Sequence, residues 1–96
     1  RDHIARDGAV VETVEAPCVP ELEAIGGTGD TVTGLASAFL AAGFPTVDAA
    51  RCACLANREA GRVMNATPAM RASDLVATLP GVLAANLCRW GGACVV

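Results

Sequence analysis

The chain has 96 residues, the size of one small domain or of part of a larger one, and a chain that long buries ~60–65% of its unfolded surface. Its 53% apolar content excludes intrinsic disorder, and its net charge of −3, with a pI near 4.9, argues against nucleic acid, which needs a basic footprint. No apolar run approaches the roughly 20 residues of a membrane-spanning helix, and no cationic region precedes one as a signal peptide requires, so a cytoplasmic protein with no membrane partner is expected.

The first residue is Arg1 rather than Met, which leads us to expect a chain cut from a longer one or processed. "HIARDGAVVETVEAP" reads as a β-hairpin: Asp7-Gly8 is a strong two-residue turn signal, flanked by Ile4, Val10, Val11 and Val14. Pro17 and Pro20 break the second strand, so "PCVPELEAIGG" is expected to be a connecting loop. Two strands alone are marginal in water, and the hairpin is expected to complete a larger sheet whose other strands lie outside this chain.

A first helix is expected from about Asp30 to Ala42, closed by Gly43, with Val32, Leu35, Ala36, Phe39 and Leu40 at helical spacing. A second runs from Thr46, a plausible N-cap, to about Asn65. Ala49, Ala50, Ala53, Leu55, Ala56, Ala60 and Val63 give it small residues on nearly every side, which suits close packing on two neighbours. Glu59 and Arg62 are spaced as an i,i+3 ion pair, worth a few tenths of a kcal/mol. Ser73 is expected to cap a short helix over Asp74–Leu79, with Pro80 opening a second one. The tail "CRWGGACVV" has no helical period and is either a last strand or frayed. The expected fold is α+β: a hairpin over 1–16, a loop with a glycine-rich anion hole over 17–29, three to four helices over 30–87 and a tail over 88–96.

Of the five cysteines, Cys18, Cys52, Cys54, Cys88 and Cys94, none has the spacing of a metal ribbon. In a helix, residues two apart point about 200° apart, so Cys52 and Cys54 cannot share a ligand face. No metal site is expected, and the thiols read as free in a reducing compartment.

The stretch carrying chemistry is "GGTGDTVTG", Gly26 to Gly34. Gly26, Gly27 and Gly29 can take positive φ and let a ligand approach the backbone. Amides of the next helical turn favour an anion. The stretch is neither a Walker A loop nor a Rossmann fingerprint, since Gly-Lys-Ser/Thr and the G-x-G-x-x-G spacing are both absent. Asp30 is either a helix cap, with Thr28 or Thr31 competing for that role, or a general base. A simple cap needs none of the three glycines. A carboxylate at an anion-holding helix mouth can take a proton from a hydroxyl while the amides hold the charge on a transferring phosphoryl group.

"GGTGDTVTGLASAFLAAG" resembles the G-[AST]-G-D signature of the ribokinase-like superfamily, and within it the NAD(P)H-hydrate dehydratase branch related to the carboxy-terminal domain of YjeF-type proteins. In that branch the G-x-G-D loop leads into "LTGIIAALLAQG", then "EAA", H-G-x-A-G and "ASDLIEALP". The counterparts here are "VTGLASAFLAAG", Asp48–Ala50, "ANREAG" (Ala56–Gly61) and "ASDLVATLPGVL", so the likeness runs from about Leu22 to Leu83. It implies the C-terminal part of a ribokinase-like α/β domain, with Asp30 as catalytic base and Gly27, Thr28, Gly29 and Asp30 as the phosphate-binding anion hole. Asn57 stands where the branch usually carries a histidine, and is implied as a contact on the nucleotide side. The cofactor implied is ATP or ADP with Mg²⁺, and the substrate hydrated NAD(P)H; substrate strands and nucleotide loops would precede Arg1.

Three readings are open at this point. The chain is the catalytic segment of an ATP/ADP-dependent NAD(P)H-hydrate dehydratase-like protein, inactive when isolated. Alternatively it belongs to a kinase of a sugar or vitamin-precursor alcohol, or it is a non-catalytic, self-associating domain. A homo-oligomer is expected in each case, because the hairpin leaves sheet edges unpaired.

Overall fold

Asp7 and Gly8 both adopt left-handed backbone (φ 54° and 80°), the pair of conformations that a tight two-residue hairpin turn requires. They join β1 (Asp2–Arg6) to β2 (Ala9–Val14) in an antiparallel, two-stranded sheet. The register runs from Asp2 opposite Val14 to Arg6 opposite Ala9, with a bulge where Ile4 faces Glu12 but Ala5 faces Val10. Ile4 and Val14 are thereby buried against the helices, while Val10 and Val11 stay exposed. A computed structural model describes residues 1–65, 67 and 69–90. The last-strand expectation for the tail falls largely on 91–96, outside the described residues.

The expected connecting loop contains a turn of 3-10 helix, Pro20–Ala24. Pro20 sits in its first turn, where a missing N–H removes no bond. Leu22 within that turn and Ile25 just after it are buried. Beyond it come three helices: α1 (Thr28–Ala41), α2 (Thr46–Val63) and α3 (Ala72–Asn86).

The end of α1 is as its sequence requires. Gly43 is left-handed (φ 96°) and its N–H bonds the Leu40 carbonyl, while the Phe44 N–H bonds that of Phe39, both at 3.0 Å. This is a Schellman closure, and the apolar contact that accompanies such closures is the Phe39–Phe44 stack, with ring centroids 4.9 Å apart. The helix starts differ from expectation. α1 begins at Thr28, two residues before Asp30. In α2, Thr46 is the first helical residue after an N-cap at Pro45, with no side-chain cap bond. α3 begins at Ala72 rather than after Ser73, and continues through Pro80 as one helix. Pro80 is exposed, and the carbonyl it leaves unpaired four residues back belongs to Val76, which is also exposed; water can take that bond, so the usual cost of an internal proline is softened.

α2 is the centre of the molecule and packs on α1, α3 and both strands. Ala49, Ala53, Ala56 and Ala60 are fully buried, and their small side chains let the neighbouring backbones approach on two sides. Phe39, Phe44, Ala49, Cys52 and Ala53 form the α1–α2 core. Leu22, Ile25, Ala56, Ala60, Leu75, Leu79 and Val82 form the core toward α3. Cys52 and Cys54 face different clusters, Cys54 lying against Ile4 and Val14 of the hairpin, as their two-residue spacing demands.

Two arginines on α2, seven residues and so two turns apart, fasten the hairpin. Arg58 is buried and donates to Asp2 (2.7 Å) and to the carbonyls of Glu15 (2.9 Å) and Pro17 (3.1 Å). Arg51 donates to Asp48 (2.6 Å) and Glu12 (3.2 Å), and from Nε to the Trp90 carbonyl (3.4 Å). Burial works against the Arg51 charge, but the bonds to Asp48 and Glu12 outweigh it and leave its pKa raised. The Glu59–Arg62 pair forms on α2 as expected, Nε lying 2.9 Å from Oε1.

Candidate functional site

Gly27 is the N-cap of α1 and is left-handed (φ 90°, ψ 0°). A side chain there would be strained by that φ, and its Cβ would sit 3.2 Å from the Ala72 Cβ at the start of α3. Of the three loop glycines, Gly27 is the one with positive φ; Gly29 lies inside the helix. The first α-helical bond runs from the Thr31 N–H to the Gly27 carbonyl (3.1 Å). The amides of Thr28, Gly29 and Asp30 precede it and have no intrahelical acceptor. They carry the positive end of the helix dipole.

Asp30 is the third residue of α1. Its side chain is exposed and, among the described residues, has no hydrogen-bond or ion-pair partner. It does not cap the helix. Thr31 does not cap it either, because its hydroxyl donates back to the Gly27 carbonyl (3.2 Å). Thr33 makes the equivalent bond to the Gly29 carbonyl (3.1 Å). A Cβ at Gly29 would meet nothing within 4 Å, so the space over the first turn is open.

Beside this helix mouth lies a cavity of about 210 Å³ lined by Thr28, Asn57 and Arg58, with Arg1, Asp2, Cys18, Val19, Pro20 and Leu22 around them. Two of the sequence-expected residues, Thr28 and Asn57, therefore share one cavity although 29 positions separate them in the chain. Gly27, Gly29 and Asp30 are not among its lining residues. Asn57 is only 9% exposed, and its Oδ1 has no hydrogen-bond partner among the described residues, an unmet acceptor of the kind that native structures rarely leave. Sequence reasoning missed Arg58 altogether. The signal for it was present: an arginine flanked by Ala56 and Ala60, two of the alanines that mark the packed side of α2, must bring buried partners with it.

Among the described residues no group of three or more His, Cys, Asp or Glu is placed to hold a metal ion. No described helix is long and apolar enough to cross a membrane.

A two-stranded hairpin laid on three helices makes this a small α+β unit. The chain belongs to the NAD(P)H-hydrate dehydratase family, whose family model matches residues 4–81. It is also 29% identical, over 82 residues, to an uncharacterized protein of Methanocaldococcus jannaschii. That match takes in 85% of this chain but 36% of the relative, so the chain spans about a third of the relative's length. No solved structure matches the chain.

Proposed function

We propose that this chain is the phosphate-facing catalytic segment of an ATP- or ADP-dependent NAD(P)H-hydrate dehydratase-like protein. The observation that carries the reading is the free state of Asp30: a carboxylate in the first turn of α1, exposed and unpartnered among the described residues, beside three amides without intrahelical acceptors. The amides of Gly27, Thr28, Gly29 and Asp30 form the anion hole. They hold the charge that grows on a transferring phosphoryl group, and the dipole of α1 adds to their effect. Asp30 takes the proton of the substrate hydroxyl. Bound nucleotide, with its Mg²⁺, supplies the phosphoryl group that turns that hydroxyl into a leaving group. The residues fit the phosphate end of such a ligand, since the face over Gly29 is open. As a Mg²⁺ ligand this loop offers the single carboxylate of Asp30, in keeping with an ion held mainly by phosphates and water.

Asn57 is assigned to the nucleotide side because it lines the cavity beside the first turn of α1. The cavity it shares with Thr28, about 210 Å³, is smaller than the ~300 Å³ at which ligand pockets begin. It holds one part of a nucleotide, and the remaining walls come from elsewhere in the full-length protein. The isolated 96 residues are accordingly inactive. Val10 and Val11, exposed on a hairpin to which no third strand is added among the described residues, support homo-oligomerisation. The free Cys18, Cys52 and Cys54 are in keeping with a cytoplasmic site of action. The same loop chemistry would serve a small-molecule kinase, and the acceptor tells the two apart.

The test is a nucleotide titration on the full-length protein and on this chain, side by side, followed by an assay with hydrated NADH. Nucleotide-dependent loss of the hydrate by the full-length protein supports the proposal. Absence of nucleotide binding by the full-length protein defeats it, and phosphorylation of a sugar or vitamin precursor without dehydration moves the assignment to a kinase.

A further inference from the structure

Gly27 is the last residue before α1, and its left-handed backbone sets where the amides of Thr28, Gly29 and Asp30 stand. The side chain that meets it belongs to another helix. A Cβ built on Gly27 would lie 3.2 Å from the Cβ of Ala72, closer than side chains ordinarily pack, so the Ala72 methyl occupies the face of Gly27 where a side chain would stand. A Cβ on Gly26 or on Gly29 would meet nothing within 4 Å. Of these three glycines, the one that sets the mouth of α1 is therefore the one with a neighbour against it, and that neighbour is the first residue of α3.

The first turn of α3 is anchored at two points. Leu75 is fully buried in the core that α2 and α3 share. Across Ala72, the Asp74 carboxylate accepts the Arg71 N–H at 2.8 Å, and the Asp74 N–H bonds the Arg71 carbonyl at 3.0 Å. We propose that Ala72 is a positioning residue for the phosphate site: its methyl is the stop against which the turn at Gly27 rests, and through that turn it fixes the free amides of α1. The consequence for binding rests on the assignment of those amides to a phosphoryl group made above. Ala72 acts here by its size and touches no ligand. A larger side chain meets Gly27 where no Cβ exists to yield, so the backbone itself must shift, and amides set in advance for an anion move out of line. Losing one amide-to-phosphate bond costs about tenfold or more in affinity.

The experiment places Ala72→Val, Ala72→Ser and Ala72→Gly in the full-length protein. It reads the urea midpoint, the backbone NMR signals of Thr28, Gly29 and Asp30, and the Kd for nucleotide. Ala72→Val is expected to move the signals and raise Kd by about tenfold or more, whereas Ala72→Ser, close to alanine in size, keeps both near wild type. A merely structural role would lower the fraction of protein that binds and leave the Kd of the folded remainder unchanged. The contact itself is read by a double-mutant cycle. Gly27→Ala should lower the urea midpoint more in wild type than in Ala72→Gly, where the opposing methyl is gone and only the strain of the left-handed backbone is left. Equal losses in the two backgrounds overturn the proposal, and so do signals that stay in place in Ala72→Val, or signals that move while Kd does not. Should Ala72→Val not fold, the cycle decides together with the Kd of Ala72→Gly, which must rise once the stop is removed. If the wild-type protein binds no nucleotide while the signals move and the cycle shows coupling, the phosphate assignment falls and the stop at Gly27 stands.

Discussion

The first turns of α1 and α3 each carry an aspartate at the third helical position, and they use it in opposite ways. In α3 the carboxylate of Asp74 reaches back and accepts the Arg71 N–H at 2.8 Å, half of a capping box. In α1 the carboxylate of Asp30 engages nothing among the described residues. The cause lies one turn back, in the N-cap backbone. Arg71 is extended (φ −113°, ψ 161°), the usual N-cap conformation, and its N–H points toward the third residue. Gly27 is left-handed (φ 90°, ψ 0°), and no bond joins its N–H to the Asp30 carboxylate. A glycine that only served a turn would not need to sit at this position; here it keeps an acid out of its own helix cap.

Neutralising each acid in turn puts this contrast to its most severe test. In the full-length protein, Asp30→Asn should lower kcat by about 10²–10⁴, the worth of a positioned general base, with little change in stability. Asp74→Asn should do the reverse, costing about 1 kcal/mol of stability and leaving kcat within a few-fold. Steady-state kinetics and urea unfolding on both variants decide it. Equal kinetic losses would mean that Asp30 is structural like its counterpart.

Arg58 extends the contrast from a free charge to one fully engaged. Arg58→Ala removes the donor to Asp2, Glu15 and Pro17 together, and should cost about 3 kcal/mol of folding stability, read as a lower urea midpoint. A loss below about 0.5 kcal/mol, the range of an ordinary surface change, would show that the hairpin is held by Ile4, Val14 and the Arg51–Glu12 pair without help from Arg58.

The glycines separate backbone need from ligand need. Gly27→Ala must place a Cβ on left-handed backbone against Ala72, at a cost of about 1–2 kcal/mol. Gly29→Ala meets open space inside a helix and should stabilise by roughly 0.5–1 kcal/mol. If it nonetheless weakens nucleotide binding, the loss is the ligand's approach and not the fold; unchanged affinity would move the phosphate away from this turn.

The smallest expected effect concerns Glu59. Its hydrogen bond from Arg62 holds its pKa below the ordinary value. The fold therefore favours the ionised carboxylate, and this contribution is complete above the ordinary carboxylate range and lost as pH falls through the lowered value. Wild-type and Glu59→Gln should differ slightly in urea midpoint at neutral pH and converge in acid. A difference that persists in acid would assign the effect to packing.

Local chemistry was legible along the chain wherever a residue's own backbone preference decided the outcome. Asp7-Gly8 and Gly43 needed only their φ preference, and the alanines of α2 announced close packing on two sides. The order of short motifs from Gly26 to Leu83 was enough to indicate the family that residues 4–81 match. Elements, their order and the family could be read from the chain because they rest on short-range sterics and on motif order.

How the polar groups are used belongs instead to the folded arrangement. The Arg58–Asp2 bond joins residues 56 positions apart, and nothing in either neighbourhood names the other. The cavity common to Thr28 and Asn57 likewise exists only once α2 is laid against α1. Pro80, which reads as a boundary between two helices, is carried inside α3 because its outer face meets water and the helix's inner face is held by Leu75, Leu79 and Val82. Asp30 shows the division most plainly. Its place in a glycine-rich loop is written in the chain, but whether it caps or stays free depends on the left-handed turn of Gly27, packed against Ala72 of a helix that begins 45 residues later.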